Sequence, residues 1–216
     1  MKIEISILKY SDLKLDLRDS EKLRGYIGNK YIETDILHNH TQTGYIYRYP
    51  LTQYKVIDSV PMIIGIREAS EIVKNIEIDC EDINIEGTVF ASVNREVTSK
   101  FCNYNETDDY ISYEFISPWI ALNQENIVKY RNSSDMEKET MLKKILIGNI
   151  ISMSKGLEYT VKKELFCWIN LVPVNVNLKN KNLIAFKGEF KVNFDMPNYL
   201  GLGKSASRGF GTFKRK

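Results

Sequence analysis

Residues 2–8 read Lys-Ile-Glu-Ile-Ser-Ile-Leu, and the fold of the first hundred residues can be worked out from this stretch. Its isoleucines alternate with polar residues, which predicts a β-strand with one buried face. The following elements are a helix capped by Asp19 or Ser20, three strand-like runs, a short helix and a β-rich region, at residues 19–30, 45–49, 54–58, 60–66, 68–76 and 83–101. Apart from one additional strand-like run, the order is β–α–β–β–α–β, the ferredoxin-like motif, a sheet with helices on one face that RNA-recognition modules share.

The second half of the chain predicts a similar α+β domain. The polar stretch 103–109 has the composition of a linker, and after it we expect two helices and four strands. The longer helix, which Asp135 is expected to cap, should turn a set of apolar residues to the core: Met136, Met141, Leu142, Ile145, Leu146 and Ile150. We therefore predict an α+β protein with two tandem ferredoxin-like domains, residues 1–105 and 106–216.

The charge of the chain is unevenly distributed. The net charge is only +2, but residues 191–216 carry six basic side chains and one acidic side chain. Such a concentration of positive charge is what a polyanion would bind. We therefore expect a nucleic-acid partner at the C-terminal end.

The cysteines and the hydropathy pattern bear on the location of the protein. The three cysteines are far apart in sequence, and they form neither a disulfide framework nor a zinc-binding spacing. The alternation in residues 2–8 is unlike a signal peptide, and no apolar run has the length of a membrane span. We expect a cytoplasmic protein without membrane association.

A glycine-rich segment occupies residues 200–213, Leu-Gly-Leu-Gly-Lys-Ser-Ala-Ser-Arg-Gly-Phe-Gly-Thr-Phe. Glycines allow close backbone approach, and exposed N–H groups with lysine, arginine and hydroxyls form an anion site. The residues predicted to bind an RNA backbone are Gly201, Gly203, Lys204, Ser205, Ser207, Arg208, Gly209, Gly211, Lys214 and Arg215. A P-loop is excluded because Asn198 stands where that motif needs glycine. A purely structural turn is the less favoured interpretation.

His38 and His40 are the only histidines of the chain, and both lie in the polar loop 33–44. Imidazole titrates near neutral pH and can therefore act as a general acid or base. Taken alone, a histidine pair in a loop more often has no catalytic role. There is no further histidine and no cysteine pair beside them to bind a metal, so we predict no metal site and no cofactor.

The glycine-rich segment resembles the C-terminal signature of the RAMP superfamily, the CRISPR-associated, ferredoxin-like RNA binders that process repeat RNA. Three further stretches resemble the b-type branch of the CRISPR repeat endoribonucleases of archaea and bacteria: Leu-Arg-Gly-Tyr-Ile-Gly at 23–28, Leu-His-Asn-His at 37–40 and Tyr-Arg-Tyr-Pro-Leu-Thr-Gln-Tyr-Lys-Val at 47–56. The resemblance implies two tandem RRM-like RAMP domains with a C-terminal glycine-rich loop. It also implies cleavage of CRISPR precursor RNA within each repeat.

The resemblance carries catalytic roles to His38, His40 and Tyr47. The expected chemistry needs no metal: the RNA 2′-hydroxyl attacks the adjacent phosphate and leaves 2′,3′-cyclic phosphate and 5′-hydroxyl ends. His40 would be the main acid or base, His38 its partner or a phosphate contact, and Tyr47 a hydroxyl donor. Lys30, at the end of the predicted first helix, is the candidate for stabilising charge in the transition state, although it could equally complement the helix dipole.

Two other functions are compatible with parts of the sequence. A non-catalytic RAMP subunit that holds guide RNA in an effector complex would share the glycine-rich segment but would not need the histidines. A ferredoxin-like protein that binds a small phosphorylated ligand would bind RNA without the usual salt dependence. The expected partners of the endoribonuclease are precursor and product RNA, with a homodimer and an effector complex as further candidates.

Overall fold

The computed structural model describes residues 1–37, 40–41, 44–45, 49–76, 81–85, 87–178 and 180–216. The chain forms two compact units. The N-terminal unit comprises Lys2–Cys102 together with Ser207–Gly209, and the C-terminal unit comprises Met1, Asn103–Ala206 and Phe210–Lys216. The chain thus passes from the N-terminal to the C-terminal unit at residue 103. The domain bounds 1–105 and 106–216 stay a prediction. No helix in the described ranges is both long and apolar enough to cross a membrane.

The N-terminal unit has the predicted β–α–β–β–α–β order with two small ribbons added. Its elements are β1 (Lys2–Lys9), α1 (Ser20–Lys30), β2 (His40–Thr41), β3 (Gly44–Tyr45), β4 (Thr52–Ile57), β5 (Val60–Ile66), α2 (Glu68–Lys74), β6 (Glu81–Ile85), β7 (Thr88–Val93) and β8 (Glu96–Asn103). The sheet order is β4-β5-β1-β8, and β2-β3 and β6-β7 form separate two-stranded ribbons. This sheet order is that of a ferredoxin-like domain, so the predicted fold is confirmed.

The core of the N-terminal unit lies between this sheet and α1. Leu23 and Ile27 are four residues apart and therefore lie on one face of α1, where both are buried. They belong to the same apolar cluster as Leu8 of β1 and Tyr54 of β4. This packing fixes α1, and with it the polar residues on the opposite face of the helix.

The C-terminal unit has the same strand order with only one helical crossover. Its elements are β9 (Asn105–Trp119), α3 (Gln124–Asn132), α4 (Asp135–Gly156), β10 (Cys167–Leu178), β11 (Lys181–Asp195) and β12 (Phe213–Arg215). The sheet order is β10-β11-β9-β12, which matches the order in the N-terminal unit strand for strand. The glycine-rich segment takes the place of the second helix, between β11 and β12.

The structure corrects two predictions about α4. Ser134, not Asp135, caps the helix, because its hydroxyl accepts a hydrogen bond from the Glu137 N–H while the Glu137 carboxylate accepts one from the Ser134 N–H. Met136 is 81% exposed and does not face the core, whereas Leu142 is buried. The two positions are six residues apart, which places their side chains about 120° apart around the helix axis.

The predicted linker at residues 103–109 is also wrong. Residues 105–109 are the first part of β9, where Asn105 and Glu106 pair with β11. The carboxylate of Glu106 accepts hydrogen bonds from the Tyr159 hydroxyl and from the N–H groups of Lys162 and Lys163. Although burial opposes the change, these bonds lower the pKa of Glu106 to about 2. The polar composition therefore reflects a hydrogen-bonded strand end.

Candidate active site

Helix α1 carries Lys30 in its last turn. Glu21 in the first turn and Lys30 in the last turn complement the helix dipole, which favours a helix of this length. The helix ends at Tyr31, whose N–H donates to the Ile27 carbonyl at 2.9 Å. The Lys30 side chain is exposed on the surface of the N-terminal unit. The structure thus places Lys30 at the helix end, as predicted, and its role stays a prediction.

The chain that leads into the histidine loop is fixed to the core. A 3₁₀ turn over Asp35–Leu37 follows α1, and Leu37 is buried. The Tyr54 hydroxyl donates a 2.9 Å hydrogen bond to the Leu37 carbonyl, and burial raises the pKa of Tyr54 well above its ordinary value. The residue before His38 is therefore anchored on β4.

His40 lies in β2, where its backbone pairs with Tyr45 of β3. The 3₁₀ turn contacts both α1 and β2, so the helix with Lys30 and the strand with His40 lie next to the same short turn. His38 and Tyr47 fall outside the described residues. Their predicted roles, and the side-chain role of His40, stay predictions.

The glycines of the segment in the C-terminal unit lie against other backbone and side chains. A Cβ at Gly203, which has φ +77°, would lie 2.7 Å from Trp119 Nε1 and 2.9 Å from Asn149 Oδ1. A Cβ at Gly211, with φ +61°, would lie 2.0 Å from the Leu202 carbonyl oxygen. Gly201 is buried against Ala206 as well. Close packing therefore accounts for these glycines, and their predicted RNA contacts stay a prediction.

Residues 207–209 of the segment belong to the N-terminal unit and contact the start of α1. The Ser20 hydroxyl donates a 2.7 Å hydrogen bond to the Arg208 carbonyl, and the Arg208 guanidinium lies 3.2 Å from the Glu21 carboxylate. Gly209 is buried beside Leu17. Arg208 thus lies at the first turn of α1 and Lys30 at the last, roughly 15 Å apart along the helix axis.

The remaining predicted RNA-binding side chains differ in exposure. Lys204 is exposed, and its N–H donates to the Ile120 carbonyl, while Ser205 and Ser207 are half-buried. Lys214 and Arg215 are exposed on β12, and Arg215 lies 3.8 Å from Asp195. The exposed lysines are the members of the predicted set with the freest access to a phosphate.

Two features near the site escaped sequence reasoning. The sequence predicts Ser20 as a possible helix cap, but its hydroxyl donates to the carbonyl of Arg208, 188 positions away, a contact that only the fold reveals. Lys55 is completely buried, and burial lowers its pKa to about 7. β4 is buried on both faces from Thr52 to Val56, whereas a polar residue between Tyr54 and Val56 predicts an exposed side chain, so the sequence gives no signal of this burial. Within the described residues, no group of three or more His, Cys, Asp or Glu side chains is arranged to hold a metal ion.

Comparison with known proteins places these features in a family. Residues 1–103 match the Cas6b N-terminal domain, and residues 105–216 match the Cas6b C-terminal domain. A crystal structure of Cas6b is 41% identical over the whole of both chains, with a TM-score of 0.94. A second, described as CRISPR RNA processing endoribonuclease Cas6b, is 39% identical over the whole of both chains, with a TM-score of 0.81. An uncharacterised protein of Methanocaldococcus jannaschii is 42% identical over 67% of this chain and 97% of its own length.

The tandem ferredoxin-like units and the glycine-rich crossover define a protein of the RAMP class. More distant solved structures, a type IV Cas6 protein and a RAMP protein at 10% and 15% identity, are alike in fold alone. Within this class, the two Cas6b domain matches, one to each half of the sequence, identify the family. The chain belongs to the Cas6b family.

Proposed function

We propose that this protein is an endoribonuclease that cuts CRISPR precursor RNA within each repeat to give mature guide RNAs, without a metal ion. The observation that supports this most strongly is the similarity, over the full length of both chains, to a structure described as a CRISPR RNA processing endoribonuclease. The second support is local. Helix α1, which carries Lys30, and strand β2, which carries His40, both contact the turn Asp35–Leu37, and Tyr54 holds this turn in place.

In the proposed reaction, His40 exchanges a proton with the attacking 2′-hydroxyl or with the departing 5′-oxygen. His38 serves as its partner or as a phosphate contact, and Tyr47 donates its hydroxyl to orient the phosphate. The Lys30 ammonium stabilises the extra negative charge of the pentacoordinate phosphate. Each general acid or base of this kind contributes about 10²–10⁴-fold to the rate.

The proposed RNA contacts are electrostatic. Lys204, Lys214 and Arg215 are exposed and suited to phosphate oxygens, whereas Arg208 must first leave Glu21. We expect binding to weaken steeply as salt rises, because each neutralised phosphate releases counterions. Precursor and product RNA are the proposed ligands, and a homodimer and an effector complex are proposed as further assemblies.

The test is a single-turnover assay with a repeat RNA, in which the product ends are analysed with and without a chelator. We expect cyclic phosphate and 5′-hydroxyl ends in both conditions. His40→Ala and a 2′-deoxy substitution at the cut site should each stop cutting and leave binding intact. Lys138→Ala, which removes a surface charge of α4 that pairs with Asp135, is the control and should cut at the wild-type rate.

Three results would count against the proposal. Loss of cutting in chelator would refute the metal-free mechanism, and normal cutting by His40→Ala would refute its catalytic role. Tight RNA binding without any cutting would instead support the non-catalytic RAMP subunit.

A further inference from the structure

A groove of about 340 Å³ runs along the exposed side of α1. Its walls come from α1 and from the β6 strand, and they consist of Glu21, Lys22, Gly25, Tyr26, Asn29, Asn84 and Ile85. One end of the groove is at Glu21, which binds Arg208, and the other is at Asn29, the residue before Lys30. The groove therefore follows α1 from the glycine-rich segment towards the candidate catalytic lysine.

Gly25 is the feature of the groove that the fold does not explain. It lies in the middle of α1 and is exposed, and a Cβ at this position would meet no atom within 4 Å. A helix-interior glycine is less stable than alanine because of its backbone freedom. Gly65 is the opposite case, since a Cβ there would lie 2.3 Å from the Ala69 carbonyl oxygen. The missing side chain at Gly25 leaves the helix backbone open to a ligand.

The polar side chains of the groove suit a nucleobase better than a phosphate. The Asn84 carbonyl oxygen accepts a 2.9 Å hydrogen bond from the Gly87 N–H, which leaves the Asn84 NH₂ group available as a donor. Asn29 is exposed and offers both a donor and an acceptor. The Lys22 ammonium lies 3.1 Å from the Asp19 carboxylate, and the Glu21 carboxylate binds Arg208, so the ammonium in the groove wall is already engaged by a carboxylate rather than open to a phosphate. Amide groups beside an aromatic ring are a common means of binding unpaired RNA bases.

We propose that this groove binds the base of one unpaired nucleotide of the repeat RNA, close to the cut site. The inference rests on the proposed function and adds a residue-level source of specificity to it. Gly25 lets the sugar and base approach the helix, Tyr26 provides an apolar wall, and Asn29 and Asn84 bind the polar edge of the base.

The test compares two alanine substitutions that should have the same effect on the stability of the protein. Gly148 of α4 is also exposed and helical, and a Cβ there also meets no atom within 4 Å. We expect Gly25→Ala and Gly148→Ala both to raise the urea midpoint. Only Gly25→Ala should weaken binding of a repeat RNA that carries 2′-deoxyribose at the cut site, by about tenfold. Asn29→Leu, which removes the amide group at similar volume and adds no charge, should weaken binding in the same way.

An abasic scan of the repeat identifies the nucleotide. With the wild-type protein, one abasic position near the cut site should weaken binding, and with Gly25→Ala the same position should have no further effect. Wild-type affinity and an unchanged scan for Gly25→Ala would overturn the inference, even if the protein cuts RNA normally. A position-dependent scan in a protein that does not cut would support the groove and refute the proposed cleavage. A wild-type protein that does not bind the RNA would refute both.

Discussion

The guanidinium of Arg208 lies 3.2 Å from the carboxylate of Glu21, within the first turn of α1. Arg208 is a predicted RNA ligand, yet its side chain is only 20% exposed in this pairing. A phosphate must therefore compete with Glu21 for the guanidinium. Within the N-terminal unit, the pair connects Arg208 of the glycine-rich segment to α1, and α1 also carries Lys30.

This competition predicts opposite effects of removing either partner. Arg208→Ala should weaken RNA binding and reduce the slope of log affinity against log salt by about one. Glu21→Gln should strengthen binding, because the guanidinium is released, and should do so less when Arg208 is already alanine. The measurement is RNA affinity over a series of salt concentrations. Arg18→Ala, which breaks an exposed pair with Asp16, is the control, and an equal effect of both arginine substitutions would refute the specific role of Arg208.

Gly203 provides a test of the structural role of the glycine-rich segment. A Cβ at this position would lie 2.7 Å from Trp119 Nε1, and the backbone has a positive φ that alanine adopts with strain. We expect Gly203→Ala to lower the free energy of unfolding by about 2–4 kcal/mol, measured by urea denaturation. Unchanged stability together with weaker RNA binding would show that the glycine is needed for the ligand and not for the fold.

The sequence predicted most of the fold because the decisive patterns are local. The alternation in β1 and the apolar spacing of Leu23 and Ile27 follow from the periods of a strand and a helix. The start of β9 has the polar composition that predicts a linker, because the side chain of Glu106 accepts hydrogen bonds from residues more than 50 positions away. Such long-range hydrogen bonds leave no periodic pattern.

The candidate site was harder to predict than the fold. The glycine spacing suggested anion binding, but a sequence cannot show that Trp119 and Asn149 lie against Gly203. The position of Arg208 on α1 is likewise a consequence of tertiary structure. The proposed catalytic roles of the histidines come from resemblance, because two histidines in a loop have no spacing that specifies a reaction.

Tyr54→Phe tests whether the anchor at Leu37 supports catalysis. The substitution removes the hydroxyl that donates to the Leu37 carbonyl and leaves a buried acceptor without this partner. We expect a loss of about 1–3 kcal/mol in the free energy of unfolding and a slower single-turnover cutting rate with little change in RNA affinity.

The matched control is Tyr113→Phe in the C-terminal unit. Its buried hydroxyl also donates to a backbone carbonyl, that of Phe194 at 3.1 Å, and it accepts a 2.8 Å hydrogen bond from the Met196 N–H as well. This variant should lose at least as much stability as Tyr54→Phe, because it also leaves the Met196 N–H without this partner, but it should keep the wild-type cutting rate. Equal slowing of both variants would show that the effect of Tyr54 is a general loss of stability.

Lys55 predicts a pH-dependent stability. It is completely buried on β4, and burial lowers its pKa from 10.5 to about 7. Between these two values the unfolded chain binds more protons than the folded protein, so this group makes the free energy of unfolding rise with pH. The slope should approach ~1.4 kcal/mol per pH unit within this window and vanish below about pH 7.

Lys55→Met keeps a long apolar side chain but removes the amine, so it should raise stability most at pH 7 and progressively less towards pH 10. Urea denaturation of both proteins between pH 6 and pH 10 measures the difference, and a difference that does not change with pH would contradict the buried, neutral amine.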